Sequence, residues 1–190
     1  MKLKLLGNKL EKYQNSGSIA VVTDTNVAPL YLKEAEDSLS RAGFAVNSVI
    51  VKAGEESKDG ATYFVLLERL AKIPLTRTDS VVALGGGMIG DIAGFAAATY
   101  MRGIRVVQVP TSLLAAVDSS VGGKTAINLR NGKNMAGAFH APAFVLRDTS
   151  LLNTLPECVF ADGCAEVVKI ATEETEGSTE DTFFMIFPSK

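Results

Sequence analysis

SVVALGGGMIGDIAGFAAATYM, residues 80–101, opens as a buried β-branched run, breaks at three consecutive glycines and continues with apolar residues at helical spacing. That is a strand, a tight turn and a helix. The same rhythm precedes it twice. SIAVVTD (18–24) leads into TNVAPLYLKEAEDSLSRAG (25–43), and FAVNSVIVK (44–52) leads into KDGATYFVLLERLAKI (58–73). A fourth strand, IRVVQVP (104–110), leads into TSLLAAVDSS and a glycine-rich tract from Val121 to Phe139, read as loop, before a short last strand at FVLRD (144–148). Strands alternating with helices predict an α/β fold: a Rossmann-like parallel sheet flanked by helices. After Leu155-Pro156 the pattern becomes ECVFADGCAEVVKIATEE, helical with no further strand signal, and so the beginning of an all-α region.

Composition narrows the function classes. The chain has 190 residues, 47% hydrophobic and 21% charged, enough apolar side chain to bury a core. Nineteen basic and 21 acidic residues leave a formal net charge of -2, so no global field favours nucleic acid or an anionic membrane. The two cysteines, Cys158 and Cys164, form neither a CxxC pair nor a disulfide framework, and a reducing cytoplasm fits them. The N-terminal MKLKLLGNKLEKYQ scatters its lysines and lacks the long apolar core of a secretory signal, and no run is apolar for long enough to suggest a membrane span. The chain reads as a soluble protein.

Gly85, Gly87 and Gly90 satisfy G-x-G-x-x-G at the junction of strand and helix. Without Cβ atoms they let a phosphate approach the backbone, and the helix N-terminus offers unpaired N–H donors; a packing turn is the competing reading. The glycines follow the third strand, and no acid ends the next one, unlike the usual dinucleotide fingerprint. Asp24, with Asn26, ends the first strand on the same carboxyl edge, as a ribose partner or beside a helix N-cap formed by Thr25 or Asn26.

Asp118-Ser-Ser-Val-Gly-Gly-Lys124-Thr has Asp118 where a P-loop needs its first glycine, so the P-loop reading fails and the loop argues against a nucleoside triphosphatase. What remains is a small-residue loop with a carboxylate and an ammonium six positions apart, followed by Lys133-Asn134, which favours a polyanion or polyol pocket. Glu166 and Lys169 share a helix face, as an ion pair does. His140 is the only histidine, which excludes a histidine-pair metal site within these residues.

The ordered set GGGMIGDIAGF, TYMRGIRVVQVPTSLLAAVDSSVGGKTAIN, GKNMAGAFHAP and GCAEVVKIA closely resembles the 3-dehydroquinate synthases, sugar-phosphate cyclases of the shikimate pathway, over roughly residues 21–171. VVTDTNVAPLY and AGEESKDG agree with that family's nucleotide-binding segments. The resemblance implies closure of 3-deoxy-arabino-heptulosonate 7-phosphate to 3-dehydroquinate with loss of phosphate, using NAD catalytically and a divalent metal, zinc or cobalt. It implies that hydride leaves the substrate's C5, that the new ketone acidifies the neighbouring proton so phosphate is eliminated, and that hydride return, ring opening and an aldol step follow.

The resemblance assigns residues as well. Asp24, Asn26, Glu55, Lys58, Gly86, Gly87, Asp91, Thr111 and Lys133 correspond to cofactor-binding positions. Asp118, Lys124, Asn134 and Lys169 correspond to catalytic positions that meet the sugar phosphate, Arg102 to a residue reaching the neighbouring subunit's phosphate in a homodimer, and Glu166 to a metal ligand. The expected organisation is an NAD-binding α/β domain over 1–155, the first helix of a truncated α-helical metal and substrate domain over 156–174, and a tail of unclear origin over 175–190. The family's histidine metal ligands lie in that helical domain, so metal is not expected to be retained here. Other readings are a 2-epi-5-epi-valiolone or 2-deoxy-scyllo-inosose synthase type of cyclase, or a non-catalytic homologue that binds NAD or dimerises.

Overall fold

A computed structural model describes residues 2–176, and the expected tail lies outside them beyond Glu176. The four strongest strand signals all form: β1 (Ser18–Asp24), β2 (Ala45–Val51), β3 (Ser80–Gly85) and β4 (Arg105–Pro110). Of FVLRD only Phe144–Val145 pairs, as β7. These five strands make one parallel sheet in the order β2-β1-β3-β4-β7. The chain moves outward from β1 to β2, then crosses back to lay β3 on the other side of β1. The direction of winding reverses between β1 and β3, and ligands of open α/β sheets bind in the crevice at such a reversal.

Helices cover both faces. On one side α3 (Gly60–Ala71), capped by Asp59 Oδ1 accepting the Thr62 N–H at 2.8 Å, and α4 (Gly87–Thr99) bury Leu66, Leu70, Ile89, Ile92 and Ala96 against β1 and β3. On the other, α2 (Lys33–Arg41), α1 (Leu6–Leu10) with the 3-10 turn before it, and the 3-10 turn Thr149–Thr154 bury Leu3, Leu6, Leu10, Leu39 and Leu151. The lysine-dotted N-terminus is therefore part of the core. Asp148 fastens it, its Oδ2 accepting the Leu3 N–H at 2.9 Å.

The glycine-rich tract departs from the expected loop. Lys124–Leu129 (β5) and Gly132–Phe139 (β6) form an antiparallel ribbon lying on α4. Glycines that hide the alternating pattern in sequence are what permit this contact. A Cβ on Gly137 would stand 2.0 Å from the Thr125 carbonyl oxygen, and one on Gly94 2.5 Å from Thr125 Cγ2. The final helix, α5 (Glu157–Glu176), follows Pro156 and meets the segment after β4 at Gly163, where a Cβ would stand 2.6 Å from Leu113 Cβ. Among the described residues no helix is long and apolar enough to cross a membrane.

Candidate nucleotide and sugar-phosphate site

The glycine turn divides into two kinds of glycine. Gly85 and Gly90 are packing glycines, since added Cβ atoms would stand 2.6 Å from Ile89 Cβ and 2.9 Å from Gln108 Oε1. Gly86 is open: the nearest neighbour of its Cβ would be Ser112 Oγ at 3.5 Å. It is also the N-cap of α4, with no side-chain cap. Packing accounts for Gly85 and Gly90 and leaves Gly86 open, and the N-terminus of α4 presents its N–H groups at the winding reversal between β1 and β3. Thr111, buried at the end of β4, donates its N–H to the Gly85 carbonyl at 2.9 Å and fixes the turn from the next strand.

Asp24 sits at the end of β1, beside β3. Its Oδ1 accepts the N–H groups of Asn26 at 2.8 Å and Val27 at 3.0 Å, while among the described residues its Oδ2 has no partner. The expected N-cap by Thr25 or Asn26 does not form. Asp24 itself closes the turn, and Thr25 Oγ1 accepts the Ala53 N–H at 3.1 Å, tying the loop after β2 to the loop after β1.

Lys58 is the most deeply placed charge of the site, with its side chain 5% exposed. Its Nζ donates to Asp91 Oδ2 on α4 and, at 2.5 Å, to Asn134 Oδ1 on β6. Burial pushes the Asp91 carboxyl above its ordinary range; the Lys58 ammonium pulls it down through its hydrogen bond and charge, and the charges of Glu55 and Asp118 add to the rise. Asn134 holds φ 57°, a left-handed conformation that asparagine tolerates better than most residues.

Asp118 and Lys124 face each other with Oδ1 and Nζ 3.5 Å apart, an exposed pair. Together with Asp91, Ser119 and Asn134 they line a cavity of about 460 Å³. Its tie to the glycine turn is Ser119, whose Oγ would lie 3.1 Å from a Cβ on Gly87. The same pair borders a second, larger cavity of about 1040 Å³ between the segment after β4 and α5, walled by Leu113, Val117, Val121, Phe160 and Val168. Residues from positions 58 to 134 thus converge on one rim.

Other expected residues stand apart. Glu166 Oε1 and Lys169 Nζ pair with each other at 3.1 Å on α5. Among the described residues no group of three or more His, Cys, Asp or Glu side chains gathers to hold a metal, so Glu166 is a single donor. His140 is engaged elsewhere, its Nε2–H donating to the Ile104 carbonyl at 2.8 Å. Lys133 is exposed on β6. Arg102 follows the C-terminus of α4 and precedes β4, at the amino edge of the sheet opposite the glycine turn. There Met101 and Arg102 carry successive positive φ values of 50° and 67°, strain that rare backbone conformations store. The sequence reading missed Asn128, which bonds to both Glu55 and Asn134. No signal in the sequence marked it, since its parity in β5 is that of Lys124 and Ala126, not of the buried Thr125 and Ile127.

Comparison with known proteins fits this geometry. In 2-deoxy-scyllo-inosose synthase complexed with carbaglucose-6-phosphate, NAD+ and Co2+, the superposed part has a TM-score of 0.81 at 32% identity and covers 88% of this chain and 45% of that one. In 2-epi-5-epi-valiolone synthase from Streptomyces hygroscopicus subsp. jinggangensis, with NAD+ and Zn2+ bound, the values are 0.80, 30%, 87% and 46%. The 3-dehydroquinate synthase of Lactiplantibacillus plantarum is 52% identical over 166 residues, 87% of this chain and 46% of that relative. The chain spans about half the length of the curated relatives it matches. Residues 48–162 match the model of the 3-dehydroquinate synthase N-terminal region, and the chain belongs to the 3-dehydroquinate synthase family.

Proposed function

We propose that this chain supplies the NAD-binding side and part of the sugar-phosphate side of a 3-dehydroquinate synthase, a soluble cytoplasmic enzyme of aromatic amino acid biosynthesis. Its substrate is 3-deoxy-arabino-heptulosonate 7-phosphate and its products are 3-dehydroquinate and phosphate. One observation carries the reading: Asp118 and Lys124 share a cavity with Asp91 and Asn134, and Ser119 reaches the glycine turn. A dinucleotide on the turn would lie beside a phosphorylated polyol in the cavity.

The residues present fit the dinucleotide. An uncapped helix N-terminus with open space at Gly86 suits a pyrophosphate, and the spare Oδ2 of Asp24, with Asn26, suits ribose hydroxyls. Glu55, Lys58, Gly87, Asp91, Thr111 and Lys133 complete the set. When bound, NAD would supply a reversible hydride acceptor. The chain's own work is to hold and to orient. Lys124 offers an ammonium to phosphate oxygens, Asp118 accepts substrate hydroxyls, Asn134 and Lys169 donate to further oxygens, and the Lys58 ammonium keeps the Asp91 carboxylate in place.

The described residues do not by themselves fit a metal, since catalytic zinc takes about three protein ligands and Glu166 is one. Residues 156–174 read as the first helix of a helical metal and substrate domain following a nucleotide domain over 1–155. Arg102, strained and exposed at the far edge, reads as a group offered to a second subunit in a homodimer.

Calorimetric titration of the 190-residue chain with NAD+ tests the nucleotide site. Saturable binding, abolished in Gly86→Val, supports the reading, and no heat at millimolar NAD+ refutes it. Product analysis after mixing with a synthase substituted at the arginine equivalent to Arg102 tests the rest. Restored formation of 3-dehydroquinate supports the homodimer assignment, and an unchanged rate counts against it.

A further inference from the structure

Asn128 lies where the β5–β6 ribbon is irregular. Pairing runs from Lys124↔Phe139 to Ile127↔Ala136, then resumes at Leu129↔Gly132. Released from β6, the Asn128 backbone turns the other way: its N–H donates to the Lys58 carbonyl at 2.8 Å, and a single parallel bridge joins it to Asp59. The side chain uses both ends of its amide. Nδ2–H donates to Glu55 Oε1 at 2.8 Å, and Oδ1 accepts the Asn134 N–H at 2.9 Å. Asn134, left-handed at φ 57°, in turn accepts from Lys58 Nζ. The bonds close a circuit through Glu55, Asn128, Asn134 and Lys58, and bulges recur where a strand must re-aim a side chain in this way.

We propose that Asn128 is a positioning residue of this site, setting the loop that carries Glu55 and Lys58 against the ribbon that carries Lys124 and Asn134; the inference rests on the reading in which Glu55 and Lys58 face NAD. Half-buried, Asn128 contributes no apolar surface to either core. What it offers is an amide donor and a carbonyl acceptor on separate atoms of one short side chain. An aspartate would keep the bond from Asn134, lose the one to Glu55 and set two carboxylates against each other.

The test measures NAD+ affinity by calorimetry, thermal stability, and amide exchange at Asn134 in the full 190-residue chain. Asn128→Asp is expected to weaken NAD+ binding about tenfold and to leave Asn134 exchange protected, because a carboxylate still accepts its N–H. Asn128→Ala is expected to weaken binding similarly and to expose that amide. The double variant Glu55→Gln/Asn128→Asp should melt higher than Asn128→Asp alone, since the glutamine amide donates to the introduced carboxylate with the roles exchanged. Wild-type affinity in both single variants, a double variant that melts no higher than Asn128→Asp, or affinity lost only in proportion to melting temperature overturns the proposal. A wild-type chain that binds no NAD+ refutes the functional reading itself, a result separate from intact wild-type binding with indifferent variants.

Discussion

Lys58 and Asn134, 76 residues apart in sequence, meet through an Nζ–Oδ1 hydrogen bond of 2.5 Å, so a loop after β2 and a ribbon after β4 close on one buried ammonium. The same ammonium pairs with Asp91. Lys58→Met would strip both acceptors of their donor and leave a buried carboxylate uncompensated. We expect a loss of about 3 kcal/mol in urea unfolding, the scale found when one partner of a buried pair is removed; a loss within error would contradict the coupling.

The raised Asp91 carboxyl has a pH signature. Its folded value lies above that of the unfolded chain, about 3.9, so its contribution to stability is present below that pH and is lost as pH rises through the folded value. Relative to Asp91→Asn, the wild type should lose stability across this interval above about pH 4. Urea midpoints taken from pH 4 to 7 give the comparison, and a relative gain by the wild type would reverse the assignment.

Asp148 behaves oppositely. Burial opposes its ionisation, but bonds from the Ser150 hydroxyl, the Leu3 N–H, the Ser150 N–H and the Lys2 N–H together hold its carboxyl below the ordinary value. Its stabilisation is present above about pH 3.9 and is lost as pH falls through the folded value. Asp148→Ala should cost about 1–3 kcal/mol at pH 7, flatten the acid limb, and accelerate amide exchange at Leu3. Protection of Leu3 in the variant would show that the N-terminal turn is held by its leucines alone.

The two kinds of glycine separate stability from binding. Gly94→Ala gains helix propensity, but its Cβ would stand 2.5 Å from Thr125 Cγ2, and that side chain is held by its Oγ1 bond to the Ala138 carbonyl at 2.7 Å. Net destabilisation of about 1–2 kcal/mol is expected. Gly86→Ala meets no atom closer than 3.5 Å and keeps an ordinary φ of -74°. It should melt like the wild type while losing NAD+ affinity by calorimetry. Equal melting temperatures for the two variants would undo the distinction.

Lys124 is exposed at 3.5 Å from Asp118, so Lys124→Met should change stability by less than about 1 kcal/mol. Its effect belongs to the ligand. With NAD+ present, titration with inorganic phosphate should show affinity reduced about tenfold or more, and unchanged phosphate binding would remove Lys124 from the site.

The extent of foresight differed by element. β1 to β4 were legible because short β-branched apolar runs and the helical spacing between them are local properties that need only a few neighbouring residues. The ribbon was not, because Gly137 serves close backbone approach and, with Gly132, erases the alternation that marks a strand. Asp24 was legible as a rim residue, whereas its closure of its own turn, in place of Thr25 or Asn26, depended on the path of the chain beyond β1.

What the amino-acid order alone determined is therefore the alternation of strand and helix, the glycine turn at a strand's carboxyl end, and the family motifs around it. Tertiary structure decided the strand order β2-β1-β3-β4-β7 that puts this turn beside Asp24, and the meeting of Lys58, Asp91 and Asn134. It also decided that Asn128 joins Glu55 of the loop after β2 to Asn134 of the ribbon. The division has a physical cause: periodicity is written over a few residues, but contacts between residues distant in sequence arise from packing two helical layers onto one sheet, which no single segment encodes.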